Sequence, residues 1–218
     1  MRKRRQRLVA LLFVVPGLGF AANAQAADIG VSAHGGTLGV GLDLAYGFNR
    51  YLSGRVGFNS LTLEEDFTEE GIEYSTDLEL ESVHALADWH VFGGGFRLTG
   101  GAILNNNAFD GSASIEAGDE IGDATAIGSG SLALDVEYDE VAPYLGIGWG
   151  NRASGRSGVS FAVDAGLMFQ GSPDVDITES GSTGVQQSDL DKEEKEVEDE
   201  LDDFEIYPVL SASVVFRF

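Results

Sequence analysis

Residues 37–48 read TLGVGLDLAYGF. Leu38, Val40, Leu42, Leu44, Tyr46 and Phe48 make one unbroken apolar row, and Thr37, Gly39, Gly41, Asp43, Ala45 and Gly47 make the other. A period of two sustained over this length is a β-strand, with the two rows on opposite faces of a pleated sheet. Which row faces inward decides the fold. In a soluble protein the apolar row is the core and the Gly/Asp row meets water; in a membrane-spanning barrel the assignment is reversed.

The start of the chain bears on that choice. Met1–Arg7 carries five basic residues, Leu8–Phe20 is an apolar run, and Ala24-Gln25-Ala26 is a small-residue cleavage site. Residues 1–26 therefore read as a secretory signal peptide, too short in its apolar part to cross a bilayer as a helix, and residues 27–218 as one all-β domain. Five of the 13 basic residues leave with the signal and none of the 36 acidic ones does, so 8 against 36 leaves a net charge of −28. Such a field repels nucleic acid and anionic headgroups, and it excludes a DNA-binding or polybasic anchor role. There is no cysteine, which removes disulfides, thiolate catalysis and Cys-ligated metals. Gly is 30 of 218, well above the usual share of roughly 7%. No apolar stretch of about 18 residues follows the signal, so any membrane crossing falls to strands.

Alternation recurs near residues 29–34, 37–48, 51–64, 72–91, 96–109, 131–149, 157–172 and 205–218, which predicts eight strands. The connections take turns. Asn49-Arg50, Phe92–Gly95 and Asn151–Ser157 are short and flanked by aromatics, whereas Glu65–Gly71, Asp110–Gly130 and Ser172–Asp203 are long and acidic. Short turns at one end, long loops at the other and a girdle of Tyr46, Phe48, Trp89, Phe96, Trp149, Phe161 and Phe218 beside the turns is the pattern of an outer-membrane barrel.

Taking each apolar row as outward, the lipid face collects Leu38, Val40, Leu42, Leu44, Val56, Phe58, Val83, Trp89, Leu98, Leu145, Ile147, Val163, Leu167, Leu210, Val214 and Phe216, none of them charged. The opposite row gathers Asp43, Arg55, Asn59, His84, Asp88, Arg97, Thr99, Asn105, Asp164, Gln170 and Arg217, interleaved with glycines. Pairing of Arg55, Arg97 and Arg217 with Asp43, Asp88 and Asp164 is expected there, because enclosed charges must satisfy one another. The glycines suit a narrow lumen whose strands curve. A soluble sandwich or lipocalin-like barrel also alternates, with the apolar row inward. Its exterior, however, carries Lys, Glu and Thr more than a Gly/Arg/Asp/Asn mixture, and it has no reason for aromatics beside every short turn. In 131–149 the apolar parity flips between Tyr138 and Val141, which is assigned to a bulge or to the strand leaving the membrane.

The chain closes on VLSASVVFRF, an alternating strand ending in an aromatic, which resembles the signal read by the outer-membrane assembly machinery. With YGFNRYLSGRVGF, DWHVFGGGFRLTGG and APYLGIGWGN, this stretch resembles the small outer-membrane barrels of the OmpA/OmpX/OmpW kind, and within that circle the CarO-like ornithine porin group. The likeness covers nearly all of residues 28–218 in pattern and is specific for fold, not for activity. The acidic segment at 188–203 departs from the simplest members.

That segment reads SDLDKEEKEVEDELDDF through Phe204, with Ser188 as a cap and Leu190, Val197, Leu201 and Phe204 near one helical face. It is a short loop helix supported by Asp191–Lys195 spacing, and otherwise a lid or a carboxylate surface for divalent cations. Asp110–Asp123 lacks the spacing of a calcium loop. Of His34, His84 and His90, His84 stands roughly 13 Å from Asp88 by strand rise, too far for a direct dyad, so no catalytic residue is assigned. The glycine runs are not phosphate loops, since no helix follows them.

The expectation is therefore an eight-stranded, antiparallel, up-and-down transmembrane β-barrel with acidic extracellular loops and one loop helix. It is exported to the outer membrane of a Gram-negative bacterium, monomeric among its lipids, without cofactor, and with divalent cations as partners of the acidic loops. Two roles follow: a structural or surface-interaction barrel whose lumen is plugged by the Arg/Asp network, or a narrow channel for small cationic or zwitterionic solutes. A lipid-modifying enzyme is the minor alternative.

Overall fold

The computed structural model describes residues 29–69, 72–118, 120–121, 124–150, 157–201 and 204–218. The expected signal peptide, residues 70–71, residue 123 and residues 151–156 of the expected 151–157 turn lie outside the described residues.

Eight strands close on themselves. They are β1 (Ile29–Gly36), β2 (Gly39–Gly47), β3 (Leu52–Glu69), β4 (Ile72–Trp89), β5 (Arg97–Asn105), β10 (Val141–Trp149), β11 (Gly158–Phe169) and β13 (Ile206–Arg217). Each pairs antiparallel with the next around the circuit, β13 pairs β1, and β4 pairs β5 to complete the ring. Each overlaps one of the eight alternating stretches of the sequence, although the stretch at 131–149 contributes only Val141–Trp149 to the ring.

A single-layer ring has two faces, and the burial pattern separates them. Val40, Leu42, Leu44 and Tyr46 are 47–65% exposed, while Asp43 on the other row is 6% exposed. Phe58, Val83, Leu145, Ile147, Val163, Leu210 and Phe216 are likewise exposed. The apolar row is the outside. Leu38 is an exception to the expected lipid face, being 6% exposed. It falls in the β1–β2 turn, where Gly39 takes φ 97° and breaks the alternation, so Leu38 folds inward over the ring.

The aromatic girdle stands at the end where β2, β4, β10 and β13 finish. Tyr46 meets Phe48 edge-on at 5.3 Å, Phe96 lies 6.3 Å from Trp149, and Phe216 meets Phe218 at 5.0 Å. Trp89 and Phe161 are exposed at the same level. The β2–β3 turn there is tight: Asn49 Oδ1 accepts from the backbone N–H groups of Tyr51 and Leu52 at 2.8 and 3.1 Å.

At the opposite end the expected long loops are largely strands, which corrects the sequence reading. β3 and β4 run on as a long hairpin, and the sheet continues through β6 (Ala108–Ile115), β9 (Gly130–Glu137) and β12 (Asp174–Gly181) in the order β12-β9-β6-β4, giving 11 strands in all. A separate two-stranded ladder joins β7 (Glu120–Ile121) and β8 (Ala124–Thr125). β6 prolongs β5 along β4 with its register kept, Ser82↔Asn105 and Glu79↔Ala108. β9 likewise leads into β10 without an inserted residue, Glu137↔Ala108 and Val141↔Leu104.

The parity flip near Tyr138 is thus not a bulge. The inward face stays on even residues throughout; only its chemistry changes, because beyond the ring it is covered by α1 (Gln187–Leu201). Leu132, Leu134, Val136 and Tyr138 pack with Val175, Ile177, Leu190, Val197 and Leu201 in one apolar cluster. The helix also covers a sheet edge: Glu194 Oε1 accepts from Ile177 N on edge strand β12 at 2.9 Å. Its start differs from the expected cap. The helix begins one residue before Ser188, and Asp189 Oδ2 accepts from Gln186 N at 3.4 Å. On its surface Lys192 faces Glu196 at 3.8 Å.

Candidate functional site

The polar row of the sequence converges inside the ring. Asp43, Asn59, His84, Asp88, Arg97, Thr99, Asn105, Asp164, Gln170 and Arg217 are each at most 8% exposed, and the Arg55 side chain is 12% exposed.

Two arginines and two aspartates form its centre. Arg97 Nη2 donates to both Asp164 oxygens at 2.7 Å, and Arg97 Nε lies 3.5 Å from Asp88 Oδ1. Arg55 reaches the same two acids, with Nη2 donating to Asp164 Oδ1 at 3.2 Å and Nε 3.4 Å from Asp88 Oδ2. Thr99 Oγ1 donates to Asp88 Oδ1 at 2.7 Å. Each carboxylate thus lies between two guanidinium groups, which offsets the desolvation of all four.

Asp43 takes different partners from those expected. His84 Nε2 donates to its Oδ1 at 2.7 Å, Ser32 Oγ donates to its Oδ2 at 2.9 Å, and His34 Nδ1 lies 3.2 Å from Oδ2. His34 Nε2 in turn meets Asn59 Oδ1 at 2.6 Å, and Asn59 Nδ2 donates to Ser82 Oγ at 3.0 Å. Nearer the turns, Ser53 Oγ and His90 Nε2 are 3.2 Å apart. Ser32, His34 and His84 thus form a clamp on Asp43. No group of three His, Asp or Glu among the described residues is arranged to hold a metal ion.

The glycines explain how residues on non-adjacent strands meet. Gly57 on β3 is the register partner of both Asp43 and His84, and with no side chain of its own it leaves them in contact across it. Gly148 does the same between Arg97 and Asp164, and Gly41 between His34 and Asn59. A Cβ on Gly57 would stand 2.2 Å from Asp43 Oδ1 and 2.8 Å from His84 Nε2. Gly57→Ala is therefore expected to lower stability by about 1–3 kcal/mol through overpacking. Thermal unfolding in detergent checks this against Gly54→Ala, whose added Cβ meets nothing nearer than the Phe48 ring at 3.3 Å.

Between this network and the extension lies an apolar layer that the polar inventory of the sequence omits: Leu38, Ile103, Ala142, Tyr144, Met168 and Val209, with Leu86 and Tyr207 against it. Its signal was parity, since Ile103 shares the row of Arg97 and Thr99, and Met168 that of Asp164. The space left in the ring is small, a cavity of about 50 Å³ beside His34, Asp43 and Tyr144 and one of about 20 Å³ beside Ser32, Asp88 and His90.

A closed antiparallel ring, apolar outside and charge-filled inside, with one wall drawn out beyond the rim, is the class of fold these features define. No protein-family model and no curated protein matches the chain. Among solved structures it is similar to CarO2 of Acinetobacter baumannii, with a TM-score of 0.59 and 21% identity over 90% of this chain and 100% of that one. It is similar also to CarO of the same organism, with a TM-score of 0.59 and 22% identity over 88% and 98%. The shared fold agrees with the CarO-like part of the sequence resemblance.

Proposed function

We propose that this chain is an outer-membrane β-barrel with a closed lumen, whose work is done at the cell surface by the extension beyond the ring. The exposed apolar belt around the ring suits contact with lipid, and the girdle at the short turns suits the periplasmic interface. All acidic residues other than Asp28, Asp43, Asp88 and Asp164 lie in segments 61–82, 106–140 and 170–206, on the extension side, where they would face external water. The single observation that carries the reading is the filled interior: four interlocked charges, the clamped Asp43 and the apolar layer, with cavities of about 50 and 20 Å³ among the described residues.

Eight strands enclose room for side chains and little else. Reconstituted in planar bilayers, the protein is expected to show no sustained conductance. Steady cation-selective current would overturn the closed lumen and favour the narrow channel for cationic or zwitterionic solutes, whose entry the acidic extension would assist.

A further inference from the structure

We propose that the free edge of β3 in the extension takes up an extended peptide segment as an added strand, one that alternates basic and apolar residues. At the level of the extension the sheet has two edges, β12 and the part of β3 beyond Ser60. The first is covered: Leu190 and Val197 of α1 join Val175 and Ile177 in one apolar cluster, and Glu194 takes up the Ile177 N–H. The second is not. β2 stops pairing at Val40↔Ser60, while β3 runs on beside β4 to Glu69↔Ile72 with no break in register. Among the described residues, no strand continues the ladder on the other side of 61–69. The Phe58 and Ser60 carbonyls lie against Gly41 and Gly39 of β2, so by the alternation of a strand the N–H and C=O groups of residues 62, 64, 66 and 68 point the same way, to the vacant side. Such a run of unpaired backbone groups is a template for another strand.

The side chains at this edge define the chemistry of the partner. Thr62 and Glu64 stand exposed on the outward face, and Leu63, on the face of Asn59, is 50% exposed. Glu64 begins a row of five carboxylates in direct register across the extension, Glu64↔Asp77↔Asp110↔Asp135↔Asp176. Neighbouring strands lie about 4.8 Å apart, and like charges directly opposite one another weaken a sheet. A lysine or arginine of the added strand opposite Glu64 offsets that repulsion, while the residue next to it falls beside Leu63, where an apolar side chain is favoured. Residues 61–69 hold four acidic residues and no basic one, so a second copy of this chain meets its own charge here. The edge thus selects against self-pairing and for a cationic strand.

This inference rests on the reading that places the extension in external water, and one experiment separates the two. The full chain is reconstituted in phosphatidylcholine nanodiscs and titrated into a fluorescein-labelled peptide of alternating lysine and valine, with empty discs as the reference. Co-elution of the chain with the discs reads the membrane assignment, and the fluorescence anisotropy reads the edge. Saturation at one peptide per chain is expected, with an alternating glutamate–valine peptide at least about tenfold weaker. In an added strand only alternate amides face β3, so of two isomers N-methylated at lysine or at valine, one should bind at least about tenfold more weakly than the other. Thr62→Pro removes an N–H on the vacant side and none from the ladder to β4. It should weaken binding about tenfold, as should Glu64→Lys, with both variants judged folded by heat-modifiable gel mobility. No saturable signal above empty discs, equal binding of the two isomers, or full binding by folded Thr62→Pro would each overturn the proposal. So would dimerisation of the chain that Thr62→Pro abolishes, the mark of a second copy on the edge.

Discussion

Replacing Arg97 by leucine is expected to cost about 3–5 kcal/mol of stability, the range for breaking a buried ion pair from one side. The Arg97 side chain is 3% exposed and the Asp164 side chain 4%, so water cannot take over the lost contacts. Arg55 would be left to neutralise Asp88 and Asp164 alone, at 3.2–3.5 Å instead of the 2.7 Å contacts that Arg97 supplies. Replacing both Arg97 and Asp164 by leucine removes opposite charges together, and that double variant should be more stable than Arg97→Leu. Thermal unfolding in detergent, followed by circular dichroism, gives both values. An unchanged midpoint for Arg97→Leu would mean that the quartet does not hold the ring interior together.

The second large effect concerns the other face of the same wall. Leu42 lies near the middle of β2, 47% exposed, with Ala33 and Phe58 as its register partners. If hydrocarbon covers this row, Leu42→Arg should destabilise the protein by about 2–4 kcal/mol in lipid vesicles, the cost of a basic side chain near the midplane of a barrel. Glu64→Arg, on an exposed position of β3 beyond the ring, should change stability little. Urea titrations in vesicles compare the two. Equal stability of both variants would place water, not lipid, against the apolar belt.

The two predictions concern opposite rows of one alternation, and that alternation was legible without any structure. TLGVGLDLAYGF already separates Leu42 from Asp43, and the same parity assigns Arg55, Asp88, Arg97 and Asp164 to a common face. The limits of the eight ring strands were close to readable too, since each carries the apolar/polar period through most of its length. The extension was not. In 108–115 and 174–181 serine, threonine and aspartate crowd the outward positions and Gly111 and Gly181 interrupt the inward row, so these strands read as loops although Phe109, Ile115, Val175 and Ile177 keep the inward period. Phe109, Val175 and Ile177 find a partner in α1, which follows β9 by some fifty residues in the chain, and Ile115 packs with Ala126, so the switch near Tyr138 looked like a fault in the pattern. Leu38 escaped for a local reason, since one positive φ at Gly39 moved it from one face to the other.

The sequence by itself determined that this chain makes alternating strands, which side chains share a face, and that charge and glycine share one of them. These are local properties, fixed by the pleat of a strand and the chemistry of each residue. Only the tertiary structure decided the partners. Arg97 and Asp164 are 67 residues apart, Arg55 and Asp164 are 109 apart, and Asp43 turned to His84 and His34 instead of to an arginine. Such choices follow from the register of three or more strands at once and from the glycine that stands between each pair. Register between distant strands is a property of the closed ring, which no window of sequence contains.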